Sequence, residues 1–262
     1  MDQSTIEKVM KEVAAEMNAK ECCHSSCGNI TDIGLTEFVG TAIGHTYGLV
    51  IASIDPMLAE PFNLGKYRSI GIIGARTGAG PQLMAVDEAV KATNTEVITI
   101  ELPRDTEGGG GHGSLIIVGA DDVSDAKRCV EIALDVLPKY FGDVYGCSDS
   151  SNHLEFQYTA RASQCLNKAF GTPIGKAFGM TCAAPAAIGV VLADVAVKAA
   201  NVEVVAVSTP KNGGTSFSNE VILAMTGDSG AVRQAVKAAI DAGKQLLGAF
   251  GGEVKSTTTP YI

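Results

Sequence analysis

Cysteines, histidines and glycine-rich loops are the residues of this 262-residue chain best placed to do chemistry. Cys22, Cys23, His24 and Cys27 crowd into CCHSSC, a set of soft donors that could hold a metal. The spacing is not that of a zinc finger and no second cluster follows, so mobile surface thiols are the simpler expectation and no metal site is assigned. The other cysteines, Cys129, Cys147, Cys165 and Cys182, are scattered. Cys129 falls on the apolar side of a helix, as a core thiol would. GIIGARTGAGP (71–81) lacks the Gly-Lys-Ser/Thr of a P-loop and its glycines do not follow GxGxxG, so nucleotide binding is not supported. Weak anion binding at the helix that follows is the remaining option.

TEGGGGHG (106–113) and its counterpart KNGGTSFSN (211–219) lie between two strands, without a helix dipole behind them. Their backbone N–H and C=O groups are unobstructed, which suits loops that line a hole: Gly109, Gly110, Gly111, Gly213 and Gly214. No GxSxG, HExxH or paired-carboxylate motif stands out. The four histidines, His24, His45, His112 and His153, are not repeated between the halves of the chain. No catalytic residue and no cofactor are therefore assigned. A small-molecule-binding sensor or enzyme of α+β fold is the rival class.

The elements that position these residues come in two copies. DEAVKATNTEVITIELP (87–103) and DVAVKAANVEVVAVSTP (194–210) agree at nine of seventeen positions without a gap. DVSDAKRCVEIALD (122–135) then matches DSGAVRQAVKAAID (228–241), and TEFVGTA (36–42) weakly echoes LEFQYTA (154–160). Each copy reads as strand, Gly/Ala/Pro turn, helix, a hairpin with a long tip, and a second helix, which gives two α+β units in tandem. The first-copy helices are expected over Pro81–Thr93 and from Asp121 or Asp122 to just before Pro138. Asp87 and Lys91, like Asp194 and Lys198, stand four apart on a helix, as a surface salt bridge would. The boundary falls in GCSDSSN (146–152). Residues 1–35 do not repeat, and there Ile6, Val9, Met10, Val13 and Met17 form one stripe of an amphipathic helix.

Composition narrows the partners. Hydrophobic residues make up 46%, aromatics only 5%, and Trp is absent. Disorder is excluded for most of the chain, and a base-stacking surface is not expected. A net charge of −9 argues against nucleic acid and anionic membrane. No stretch reads as membrane-spanning and no secretory signal is read at the N-terminus, so the seven cysteines are expected to be reduced thiols in a cytoplasm.

AFGMTCAAPAAIGVVLADVAVKAANVEVVAVS (177–208), continued by TGDSGAVRQAVKAAIDAG (226–243), resembles the bacterial microcompartment shell domain. TEFVGTAIG, YRSIGIIGARTGAGP, ELPRDTEGGGGHGS, GDVYG and the terminal Pro-Tyr-Ile extend the likeness to the tandem, circularly permuted type of propanediol-utilisation compartments. The resemblance implies two shell domains (36–148 and 149–262) behind a tail (1–35), each an antiparallel sheet flanked by helices. It implies a pseudo-hexameric homotrimer that tiles edge to edge with other shell proteins in the shell of a cytoplasmic microcompartment. Lys91 and Lys198, near Asn94 and Asn201, would be tile-edge residues, and Arg161 is a further edge candidate. Small polar metabolites, such as 1,2-propanediol or glycerol, would cross through channels that replace their water with hydrogen bonds. The channel candidates are Arg76, Thr77, Gly78, His112 and Ser114, with Ser218, Asn219 and Glu220 as second-copy counterparts, and Glu37, Asp55 and Glu155 besides. Residues 1–35 would dock encapsulated enzymes.

Overall fold

The structure, a computed structural model, describes residues 33–76, 79–102, 113–147, 150–211, 219–249 and 251–262, with the side chains of 147, 150 and 151 set aside. The tail apart from 33–35, and Thr77, Gly78, Gly109, Gly110, Gly111, His112, Gly213, Gly214 and Ser218, lie outside the described residues. So do Cys22, Cys23, His24 and Cys27.

The first sheet is antiparallel, in the order β1 (Phe38–Ala42), β2 (Thr46–Ile51), β3 (Ser69–Ala75), β5 (Ser114–Ala120), β4 (Thr95–Glu101). Between β3 and β4 runs α1 (Gly80–Lys91), and after β5 runs α2 (Val123–Tyr140). The second sheet has the order β11 (Val254–Ser256), β6 (Val144–Cys147), β7 (Ser150–Thr159), β8 (Ala177–Ala184), β10 (Val221–Gly227), β9 (Val202–Ser208). Its helices are α3 (Gln164–Phe170), α4 (Ala186–Ala199) and α5 (Ser229–Gly248). The α+β duplication is thus present, including a matched irregularity where the hairpin strands bulge, at Val97/Thr99 in one copy and Ala224/Met225 in the other. Val144 and Tyr145, which precede the expected boundary segment 146–152, pair with Glu155 and Leu154 of the second sheet.

The caps follow from side-chain chemistry. The Asp122 carboxylate accepts from the Ser124 amide at 2.8 Å, and that of Asp228 accepts from the Gly230 and Ala231 amides. These bonds hold the Asp122 carboxyl below the usual carboxylate range. Two glycines at matching places let each sheet approach its own helix. A Cβ on Gly71 would meet Val130 at 2.8 Å, and one on Gly179 would meet Val232 at 2.7 Å.

Three expectations need correction. Helix α2 does not stop before Pro138 but carries it in the last turn, where a missing N–H removes one bond only. The Phe141 amide still bonds Leu137 O, and Tyr140 is anchored in the core. The TEFVGTA/LEFQYTA echo joins strands that are not equivalent: β1 is an edge strand beside β2, whereas β7 occupies β2's place beside β8. His45 and His153 are, by register, the same residue of the repeated unit, each directly preceding or opposing the matched end of the central strand: Thr46 pairs Ala75, and His153 pairs Ala184.

The core does not respect the duplication. One cluster joins Leu83 and Met84 of α1 to Cys165, Leu166, Phe178, Met180 and Cys182 of the second unit. A second, with Leu154, Phe156, Leu192, Met225 and Val236, lies between the second sheet and α4/α5. Helix α1 therefore lies in the seam between units and is buried almost throughout. Among the described residues no helix is long and apolar enough to cross a membrane.

Candidate functional site

Strands β7 and β8 pair so that Glu155 lies opposite Cys182, with His153 two residues earlier on the same face. Glu220 immediately precedes β10, whose Val221 pairs with Ala183. Four reactive side chains thus collect at one end of the second sheet, facing the start of α1. His153 Nε2 lies 3.1 Å from Glu220 Oε1, and His153, Cys182 and Glu220 each offer a ligand atom within 4.8 Å of the others. Glu155 and Glu220 are buried. A Cβ on Gly80 would run into the Glu155 carboxylate, so the acid lies directly against the first turn of α1. Burial first, then the neighbouring Glu220 charge against the opposing pull of His153, pushes the Glu155 carboxyl up to about 7. Burial likewise pushes the Cys182 thiol well up.

Asn219 is exposed beside this group and its Oδ1 accepts from the Ala186 amide at 3.3 Å, at the start of α4. Arg76 and Ser114 belong to the matching end of the first sheet, where Ala75 pairs with Ser114. Arg76 is exposed, while the buried Ser114 hydroxyl has no partner among the described residues. Glu37 and Asp55 are not brought to this end. The Glu37 carbonyl accepts from Val50, which pairs with Gly71, and the Ile54 amide donates to Arg68 O, which puts both acids toward the opposite end of the seven-residue strand β3: Glu37 about 13 Å along from Ala75 and Asp55 about 20 Å or more. The Asp55 carboxylate is occupied locally, accepting from the Met57 amide at 2.8 Å, and Glu37 accepts from the Thr36 hydroxyl. His153 and Cys182 were missed as site residues because the pairing of β7 with β8, not sequence spacing, brings them to Glu155. The equal register of His45 and His153 was the available signal.

The expected edge residues divide unequally. Lys91 pairs with Asp87 at 2.7 Å and with Glu88 at 3.2 Å, its side chain 25% exposed over a fully buried Asp87. The Asp87–Lys91 pair is therefore not a surface salt bridge: α3 covers it. Lys198 pairs with Asp194 at 2.7 Å, with both side chains more than half exposed. Asn94, Asn201 and Arg161 are exposed.

That difference extends along the whole helix. The matched stretches 87–103 and 194–210 make Leu83 the counterpart of Val190 and Val97 that of Val204. Leu83 and Val97 are buried, yet Val190 is 58% exposed and Val204 54%. Val191 and Val197 on α4 and Val207 on β9 are exposed too. In the first unit this surface is covered by α3, through Cys165 Sγ on Leu83 O and Gln164 on both Thr95 O and the Val97 amide. The counterpart of α3 in the first unit is the short helix Pro56–Leu58 and its flanks, where Met57, Leu58 and Phe62 are exposed. The chain thus presents one apolar face and, elsewhere, the exposed counterpart of the segment that covers that face's twin.

The chain is similar to known proteins. The sequence profile described as the BMC domain matches twice, over residues 69–147 and 177–257. The chain is 63% identical over 229 residues to the bacterial microcompartment shell protein PduB of Salmonella typhimurium, covering 87% of this chain and 84% of that protein. The EtuB crystal structure from Clostridium kluyveri superposes with a TM-score of 0.84 at 54% identity, over 87% of this chain and 99% of EtuB. A crystal structure described as a trimeric bacterial microcompartment shell protein PduB gives 0.83 at 50% identity, over 87% and 100%.

Proposed function

The chain belongs to the BMC-domain family of bacterial microcompartment shell proteins, and from this premise we propose that it is a structural tile in which three copies close into a ring of six units. It is a shell component and not an enzyme. The single observation that carries the ring is the unequal burial of Leu83 and Val190, two copies of one position. The operation that lays α3 of the second unit on α1, applied between chains, lays Met57 and Phe62 of one copy on α4 of the next. Such a heterologous contact makes a closed ring or an open fibre. Two units per chain and a six-membered ring give a trimer, the state described for the related PduB structure.

Once α4 is covered, Lys198 and Asn201 match Lys91 and Asn94, and the ring carries six similar edges. Extended lysine stems lying across neighbouring tiles would join them, their ammonium groups reaching backbone carbonyls. Electron microscopy of the purified protein is expected to show sheets, and Lys198→Ala to leave single trimers. Sheets that persist in the Lys91→Ala, Lys198→Ala double variant would remove the edge assignment.

Small polar solutes, 1,2-propanediol or glycerol among them, would cross near the ends of the sheets where Arg76, Ser114, Asn219 and Glu220 lie. Exposed Arg76 and Asn219 offer donors and acceptors that hold a diol weakly enough to release it. Crystals soaked in glycerol should show density against Asn219. Density confined to the threefold axis would refute that path and favour the glycine loops instead. Residues 1–35 would tether encapsulated enzymes. Their deletion should leave trimers intact and reduce co-purifying cargo, and unchanged cargo would defeat the tether.

A further inference from the structure

The cluster of His153, Cys182, Glu220 and Glu155 is more elaborate than a metabolite channel needs. A histidine–glutamate pair is complete in itself, yet a thiol lies within 4.8 Å of both its members, and a second carboxylate stands opposite that thiol. The Glu155 side chain is more than nine-tenths buried, and although Gln157 and the Gly80 amide bond its carboxylate, Oε1 lacks a well-aligned donor among the described residues. A buried acceptor without a donor is costly. The first unit shows that the fold does not demand this group. At the matching register it carries His45, Tyr47, Gly74 and Gly113, so the imidazole is kept and the other donors are absent.

We propose that His153 Nε2, Cys182 Sγ and a Glu220 carboxylate oxygen bind Zn2+ or a similar divalent transition ion, with a solvent oxygen in the fourth position and Glu155 beside it. One nitrogen, one sulfur and two oxygens are a borderline donor set. Calcium and magnesium, which take oxygen alone, do not fit it. Tetrahedral bonds of about 2.0–2.3 Å set donors roughly 3.3–3.8 Å apart, so loading draws the group in by about 1 Å. His153 is placed to give: its side chain is 18% exposed, which also provides the way in. On binding, Cys182 loses its proton to solvent and sulfur donates a lone pair to the ion, with no change of oxidation state. Each site lies within one chain, in the seam between its units, so a trimer would hold three. This site does not depend on how trimers tile.

The test uses the full chain with Cys22, Cys23, Cys27 and Cys147 changed to Ser, which removes the other candidate thiol donors outside the core. Titrated with Co2+, it is expected to take one ion per chain and to show a thiolate-to-cobalt charge-transfer band. Cys182→Ala should abolish the band. His153→Gln and Glu220→Gln should each weaken Zn2+, measured by chelator competition, by at least about 100-fold. His153 is at the rim, so that variant keeps its fold, and Zn2+ should raise the melting temperature of the parent but not of His153→Gln. Failure to bind Co2+, a band that survives Cys182→Ala, or equal Zn2+ affinity in His153→Gln overturns the proposal.

Discussion

Asp87 accepts hydrogen bonds from both the amide and the hydroxyl of Ser163, at 2.8 and 2.6 Å, and so ties the first helix of one unit to the start of α3 in the other. Lys91 completes the junction on the other carboxylate oxygen. Asp194, the same residue of the second copy, has Lys198 at 2.7 Å as its one partner among the described residues and is half exposed.

Asp87→Ala should therefore destabilise the chain by about 3 kcal/mol, because a buried, multiply bonded carboxylate is lost and Lys91 and Ser163 are left without it. Asp194→Ala in a monomeric background should cost under about 1 kcal/mol. Denaturant unfolding of both variants checks the contrast. Equal costs would mean that the seam is not where the stability resides.

Gly71→Val and Gly179→Val should each destabilise by roughly 1–3 kcal/mol, since the added atoms must displace a valine on the facing helix. The measurement is the same unfolding midpoint. A neutral outcome at either site would show that sheet and helix separate freely.

The Asp122 cap carries a pH signature. Its carboxyl titrates below its ordinary value of 3.8 in the folded chain, because the charged form accepts the Ser124 amide and hydroxyl. The contribution is present above that value and is lost as pH falls through the folded one. Asp122→Asn, which keeps the cap without the charge, should show a shallower loss of stability on acidification. A parallel acid curve would contradict this account.

Much of the fold was legible in the sequence, because the duplicated 87–103 and 194–210 segments fix strand, helix and hairpin twice over and the two capping aspartates mark the second helices. The partition of burial was not legible. Asp87 and Asp194 sit in nearly identical local sequence, and their difference arises because α3 is present on one helix and absent from the other. The reactive cluster was half legible. Glu155 and Glu220 stood out as polar residues near loops, but His153 and Cys182 join them only through the ladder between β7 and β8. Glu37 and Asp55 looked alike on paper, and the strand direction carries them to the far end of the sheet.

Val190→Asp and Phe62→Asp should each leave a folded protein with the mass of one chain by native mass spectrometry, since either places a charge in the expected ring contact. A trimer that tolerates both would move the contact elsewhere.

The most direct measurement of the ring itself is a disulfide. Cys165 bonds Leu83 within the chain, and their counterparts are Met57 and Val190, 84% and 58% exposed. Met57→Cys with Val190→Cys, in a chain whose Cys22, Cys23 and Cys27 are Ser, is predicted to oxidise to a covalent trimer that runs as one band without reductant. Monomer alone, or a ladder continuing past three chains, would contradict the closed three-copy tile.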